Sequence, residues 1–288
     1  MSDAIDIESL RKHIGTKIVE EDEATQAPLR GLVAALDRED PVPKRGEPIP
    51  PGWHLVYFHS AARKAMLGED GLPTSGGVIP KVPFPRRMYA GTSLTFHDAL
   101  RVGDALKRET ELTDIALRSG STGELIFATQ TRRIFSPRGL AIVEESYTVF
   151  RDAVKAGEKS GIPKRDTPPA ILPWMRQIVA DPVSLFRYSA VTFNPHRIHY
   201  DRTYAMSVEG YPGIVVHGPY SQQCLIDLLR DNNPGKTITS FVQRARAPLF
   251  DTAPFGVVGR PVDNGAGAEL WAVTPAGTIA MEVTVRLA

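Results

Sequence analysis

Apolar residues recur along this chain with two periods, and the period changes at Met88. Before that point the spacing is helical. In ATQAPLRGLVAALDRED, Leu29, Leu32, Val33 and Leu36 fall on one face, so the segment from Ile5 to Asp40 is expected to be helical. A Pro-rich connector, PVPKRGEPIPPG, follows. WHLVYFHSAARKAML resumes the helical spacing, with Trp53, Val56, Tyr57, Ala61 and Ala65 as a buried stripe. GEDGLPTSGGVIPKVPFPRR has too much Gly and Pro for either period and reads as loop. From Met88 onward polar and apolar residues alternate. MYAGTSLTFHDAL, DALKRETELTDIALRSG, GELIFATQTRRIFS and LAIVEESYTVFRD read as four strands, separated by the turns RVGD, SGSTG and SPRG.

The second half repeats this order. AVKAGEKSGIPKRDTPPAILP is charged and rich in Pro and Gly, which marks a linker over residues 152–173. Beyond it, GPYSQQCLIDLLRD places Cys224, Leu225, Leu228 and Leu229 at helical spacing. TITSFVQRARAPLF, FGVVGRPVD, AELWAVTP and TIAMEVTVRL are four more strands. The halves share a pattern, not residues. Each helix is too apolar to be exposed, and each antiparallel sheet needs one face covered. The expected fold is therefore α+β, a double hot-dog in which each unit wraps its sheet around a central helix. The units are residues 1–151 and 174–288.

Composition narrows the function. The formal net charge is +1, so no field of one sign invites nucleic acid. No apolar run approaches the roughly 20 residues of a membrane helix, and the charged MSDAIDIESLRKHIG is no secretory signal. The lone cysteine, Cys224, rules out an internal disulfide framework and reads as a buried filler. A soluble cytoplasmic protein is expected.

One stretch carries the chemistry. SAVTFNPHRIHYDRTYAMSVEGYPGIVVHGP holds three of the seven histidines, His196, His199 and His217, with Asn194 and Asp201 between them. A metal site, an acid/base site and ordinary polar surface all use such residues. A zinc site from His196, His199 and Asp201 has the ligand types, but NPHRIHYD opens on a Pro turn rather than on a helical face. Asp201 is placed to cap a helix over RTYAMS, and His217 to orient the turn at Gly218. Asn194, in FNP, has a turn or capping role open to it as well as a site role.

The segment resembles the R-specific enoyl-CoA hydratases, the MaoC-like or hydratase 2 group. Ile198-His199-Tyr200-Asp201 and Ile214-Val215-Val216-His217-Gly218 carry the likeness. With PRRMYAGTSLTFHDALRVGDAL and GSTGELIFATQTRRIF upstream, the chain is similar to the two-hot-dog type 2 3-hydroxyacyl-thioester dehydratases, a branch that includes mesaconyl-C4-CoA hydratases. The alignment puts Asn194 where the family has its catalytic Asp, His196 at its Asn and Arg197 at its Pro. The resemblance implies water addition to an enoyl-CoA, with mesaconyl-C4-CoA or itaconyl-CoA as substrate. His199 would be the principal acid/base, since a histidine titrates near about pH 6.5. Asn194 would position water, His196 would be a candidate second proton carrier, and the Gly218 N–H at a helix start would bind the thioester oxygen. Arg244 and Arg246, two apart on a strand, are candidates for CoA phosphates or a free carboxylate, in competition with Arg197, Arg202 and Arg87. No organic cofactor and no metal is expected, CoA being part of the substrate. The N-terminal unit, lacking the motif, would shape the acyl pocket, and a homodimer is expected. A hot-dog thioesterase and a catalytically silent acyl-CoA binding protein are the alternatives.

Overall fold

The computed structural model describes residues 5–120, 123–152 and 166–288. Its ten strands form one antiparallel sheet. The first half supplies β1 (Lys17–Glu23), β2 (Arg86–Phe96), β3 (Ala105–Gly120), β4 (Gly123–Ser136) and β5 (Gly139–Arg151). The second half supplies β6 (Trp174–Ile178), β7 (Ile238–Ala245), β8 (Phe255–Val262), β9 (Gly267–Val273) and β10 (Ile279–Leu287). The order is β1-β3-β4-β5-β2-β7-β10-β9-β8-β6, so the two halves join edge to edge at β2 and β7. The register across that seam runs from Gly91↔Arg244 to Thr95↔Ser240. Gly91 makes the seam: it has φ 148°, sits at a register shift on β2, and a Cβ there would meet the main chain of Gln243 and Arg244.

The helices are α1 (Ile7–Arg11), α2 (Gln26–Ala35), α3 (Pro182–Val191), α4 (Arg202–Ser207) and α5 (Gly218–Asn232). In the C-terminal half α5 is the helix that the sheet wraps. It is buried from Tyr220 to Leu229, and Leu225, Ile226 and Leu229 share a core with Phe241, Leu270 and Val283. Burial on all sides is what a helix inside a curved sheet requires. This is the α+β double hot-dog expected from the pattern.

The first half departs from that pattern in two places. No helix forms over 53–67; the chain makes only 3₁₀ turns at Trp53–Val56 and Lys64–Met66. The reason is in the distribution of apolar residues. Trp53, Val56, Tyr57 and Phe58 are buried and sit together, whereas the following HSAARKA has little to bury, so nothing holds a longer helix. Nor is the segment from Ile5 to Asp40 all helical. KIVEEDE forms β1, an acidic edge strand on β3, between α1 and α2. The strand β6, which closes the other edge, falls just after the expected linker, and residues 153–165 of that linker lie outside the described residues.

The absent helix leaves the N-terminal sheet with a polar inner face. Thr92, Gln130, Ser146 and Thr148 are buried there, and Arg132 pairs with Glu144 at 2.6 Å. Among the described residues no helix is long and apolar enough to cross a membrane.

Candidate active site

The site is assembled where α3 ends. Asp181 caps the start of α3, its carboxylate accepting from the Ser184 N–H at 2.7 Å. At the other end Phe193 turns left-handed (φ 50°), and the Asn194 N–H donates back to the Ser189 carbonyl at 2.8 Å. That closure ends the helix. Asn194 Oδ1 then accepts from the His196 N–H at 3.1 Å, an Asx turn that throws the chain into the 3₁₀ turn Arg197–His199. The turn is held on two sides. Arg197 N–H donates to the Asp70 carbonyl at 2.8 Å, and Val215 N–H donates to the Ile198 carbonyl at 2.9 Å.

The result is a column of three imidazoles. His196 stands edge-on to His199, with ring centroids 5.4 Å apart and planes at 88°. His199 lies flat on His217 at 3.8 Å and 20°. His217 Nε2 shares a 2.8 Å hydrogen bond with the Ser189 hydroxyl. His199 Nδ1 lies 2.8 Å from the Val215 carbonyl. A carbonyl only accepts, so Nδ1 carries the proton and Nε2 is left with its lone pair. All three rings are held neutral. Burial pushes His199 down to about 3, against the opposing pull of the Val215 bond, and neighbouring His196 lowers it further. Burial, then the charge of Arg87, takes His196 to about 4. Burial depresses His217 strongly, followed by its two histidine neighbours.

His217 also precedes α5, whose first turn contains Gly218 and Pro219. The N–H groups of a first helical turn have no partner inside the helix and carry partial positive charge. Gly218 is walled by a residue that the sequence gave no reason to single out. The Tyr89 ring, from β2, lies where a Gly218 side chain would go, its Cε1 2.8 Å from the position of a Cβ. The Tyr89 hydroxyl donates to Gln222 Oε1 at 3.2 Å and accepts from Gln243 Nε2 at 3.1 Å. One polar wall thus comes from both halves of the chain. The alternation within β2 and β7 was its signal, but only the seam shows which face meets the histidines.

Other candidate residues fall elsewhere. Asp201 caps α4, accepting from the Tyr204 N–H at 3.0 Å. Arg197 is engaged by the protein: it pairs with Asp201 at 2.7 Å, donates to the Glu69 carbonyl at 3.0 Å and covers the Tyr204 ring. Those contacts occupy the guanidinium that was a candidate for substrate. Arg202 pairs with Asp251. Arg244 lies on the outer surface of β7 and Arg246 just past its end, on the side away from the histidines. Phe241 and Gln243 point inward with 0% exposure, Arg244 is exposed, and Arg246 pairs with Glu282 on β10. Cys224 is buried and reduced in α5. Among the described residues no three His, Cys, Asp or Glu side chains are placed to hold a metal ion.

A neutral histidine with a free Nε2, set beside a helix start within a double hot-dog, is suited to moving a proton while a thioester oxygen gains charge. The class so defined is the hydro-lyases of acyl thioesters. A family model of hydroxyacyl-thioester dehydratase type 2 matches residues 52–251, and the chain belongs to that family. It is 41% identical over 272 residues to the mesaconyl-C(4)-CoA hydratase of Chloroflexus aurantiacus, covering 93% of this chain and 94% of that one. Among solved structures it is similar to a MaoC-like dehydratase from Phytophthora capsici (TM-score 0.67, 13% identity, 99% of both chains). It is also similar to a Mycobacterium tuberculosis protein described as having a double hotdog fold (TM-score 0.58, 11% identity, 96% of both chains). The protein is a hydro-lyase.

Proposed function

We propose that this enzyme hydrates mesaconyl-C4-CoA, adding water across its C=C bond, and runs the reverse dehydration. The relative from Chloroflexus aurantiacus, alike over nearly all of both chains, supports the substrate. The observation that carries the chemistry is the bare Nε2 of His199, fixed by the bond from Nδ1 to the Val215 carbonyl. In the mechanism we infer, Nε2 takes a proton from water as the water oxygen bonds to Cβ. The electron pair moves onto the thioester oxygen, where the Gly218 N–H meets the developing charge. The imidazolium then returns its proton to Cα, so one water is added and no cofactor is consumed. Asn194 cannot be a base, and its Oδ1 already holds the turn, so its Nδ2 is the group that orients the water. His196, neutral and edge-on to His199, holds the same water rather than carrying a second proton.

The identity of residue 194 favours a substrate with its own carboxylate. A histidine pushed to about 3 is a weak base until negative charge comes near. The family's Asp is absent here, and a dicarboxylic acyl group brings the missing anion with it. A chain with one cysteine and so no internal disulfide fits a cytoplasmic setting.

The test is hydration of mesaconyl-C4-CoA, itaconyl-CoA and crotonyl-CoA, following loss of the enoyl absorbance and appearance of free thiol. Wild type is expected to hydrate mesaconyl-C4-CoA without thiol release. His199→Asn, whose amide can keep the Val215 bond, should lose about 10²- to 10⁴-fold in kcat, the range for a general base. Thiol release would make the protein a thioesterase. Neither signal with any of the three would make it a binding protein.

A further inference from the structure

The substrate proposed above sets a geometric demand. In mesaconyl-C4-CoA the free carboxylate is attached to Cβ, the carbon that receives water. Its carbon lies only about 4 Å from the thioester carbon, from standard bond lengths. A group that recognises this carboxylate must therefore stand close to both the histidine column and Gly218.

Arg87 meets that demand. It lies two residues before Tyr89 on β2, and residues two apart point to the same face, about 6–7 Å from one another. Tyr89 on that face packs against Gly218. Across the β2–β5 register Arg87 stands opposite Phe150, with its guanidinium carbon 5.9 Å from the Phe150 ring. The charge of Arg87 is felt at His196, on the other wall. Water reaches the side chain, yet burial is the first cause that disfavours its charged form, with the nearby Arg132 charge second. Arg87 is thus open to solvent while its guanidinium lies against the Phe150 ring.

Arg87 differs from several of the other candidate and inner-face arginines in lacking an acidic partner. Arg86 pairs with Glu209, Arg108 with Glu20, Arg132 with Glu144 and Arg197 with Asp201. Arg87 makes no ion pair with any described residue. The carboxylate whose charge it feels, Asp70, lies beyond ion-pair distance and accepts from the Leu72 N–H. An accessible cation on the Tyr89 face with no anion beside it is open to one, and the planar guanidinium matches a carboxylate through two parallel hydrogen bonds.

We propose that Arg87 is the carboxylate-recognition residue of this enzyme, gripping the free carboxylate on Cβ and selecting dicarboxylic over simple acyl-CoA substrates. The inference rests on the proposed hydratase reading and deepens it.

The test measures binding, so it does not depend on turnover. Succinyl-CoA and butyryl-CoA are saturated, and they differ in a carboxylate against a methyl group on Cβ. By titration calorimetry wild type should prefer succinyl-CoA by about 10- to 100-fold, the range for a hydrogen-bonded charge pair. Arg87→Gln should abolish the preference while holding butyryl-CoA within about threefold of wild type, which also shows that the variant is folded. Arg87→Lys should retain part of the preference, since it keeps the charge and loses the fork. A wild type without preference overturns the proposal. So does an Arg87→Gln variant that keeps the preference, or that weakens both ligands equally. None of these outcomes bears on whether wild type hydrates an enoyl-CoA, so a failure of Arg87 is separable from a failure of the hydratase reading.

Discussion

A single methyl group at Gly218 tests how the two halves build one site. In Gly218→Ala the new Cβ would lie 2.8 Å from Tyr89 Cε1 and 3.3 Å from Cγ, with Cδ1 closer still. Ordinary Cβ contact begins at 3.4 Å, so the ring or the helix start must move. The ring is not free to swing, because its hydroxyl is held by Gln222 and Gln243. Overpacking of this kind costs about 1–3 kcal/mol. Losing the two hydrogen bonds adds about 1 kcal/mol each if the ring is expelled. The expected destabilisation is therefore about 1–3 kcal/mol if the ring stays and about 3–5 kcal/mol if it is expelled, read as a shift in urea midpoint at unchanged slope. Displacing the Gly218 N–H, proposed above to meet the thioester oxygen, should lower kcat about 100-fold. Tyr89→Ala in the same chain relieves the clash, so the double variant should be less destabilised than the sum of the singles by about 1–2 kcal/mol. If Gly218→Ala unfolds within about 0.5 kcal/mol of wild type and retains its kcat, then Tyr89 does not wall the helix start and the reasoning fails.

Two further outcomes follow from the histidine column and the outer sheet. Because His199 and His196 are pushed to about 3 and about 4, the acid limb of kcat/KM should lie below about pH 5, not near the 6.5 of a free histidine; a limb at pH 6–7 would contradict the burial argument. Their folded pKa values lie below the unfolded one, so the unfolded chain binds more protons between about pH 6.5 and 4. The stability these groups contribute is thus complete above about pH 6.5 and is lost on acidification, at about 1.4 kcal/mol per pH unit for each histidine. His199→Asn should remove one such increment from the pH dependence of the urea midpoint. Arg244→Ala and Arg246→Ala, on the face away from the histidines, should leave kcat/KM within about threefold of wild type in the same hydration assay.

What could be read from the sequence was whatever its local pattern determines. β2 to β5 and β7 to β10 fall where long period-two runs predict them, and α5 begins at the Gly218-Pro219 start. The histidine segment was legible because its members are contiguous in sequence. What was not legible depends on partners far along the chain. KIVEEDE is a strand because β3 offers it an edge, and its acidic residues carry no local β signal. The spacing of Arg244 and Arg246 suggested one face of a strand, but β7 ends at Ala245, and spacing cannot say which face is inside. Pairing of β2 with β7 settled that, by turning Gln243 inward onto Tyr89. The failure at residues 53–67 is local instead, since little after Phe58 is apolar enough to hold a helix. A helix there would cover the inner face of the N-terminal sheet with apolar side chains. Its replacement by two short turns leaves Thr92, Arg132 and Glu144 lining that face; Arg87, which pairs with no described acidic residue, lies on the same strand as Thr92, and its charge reaches His196. The C-terminal half keeps its helix because the curved sheet buries α5 from Tyr220 to Leu229.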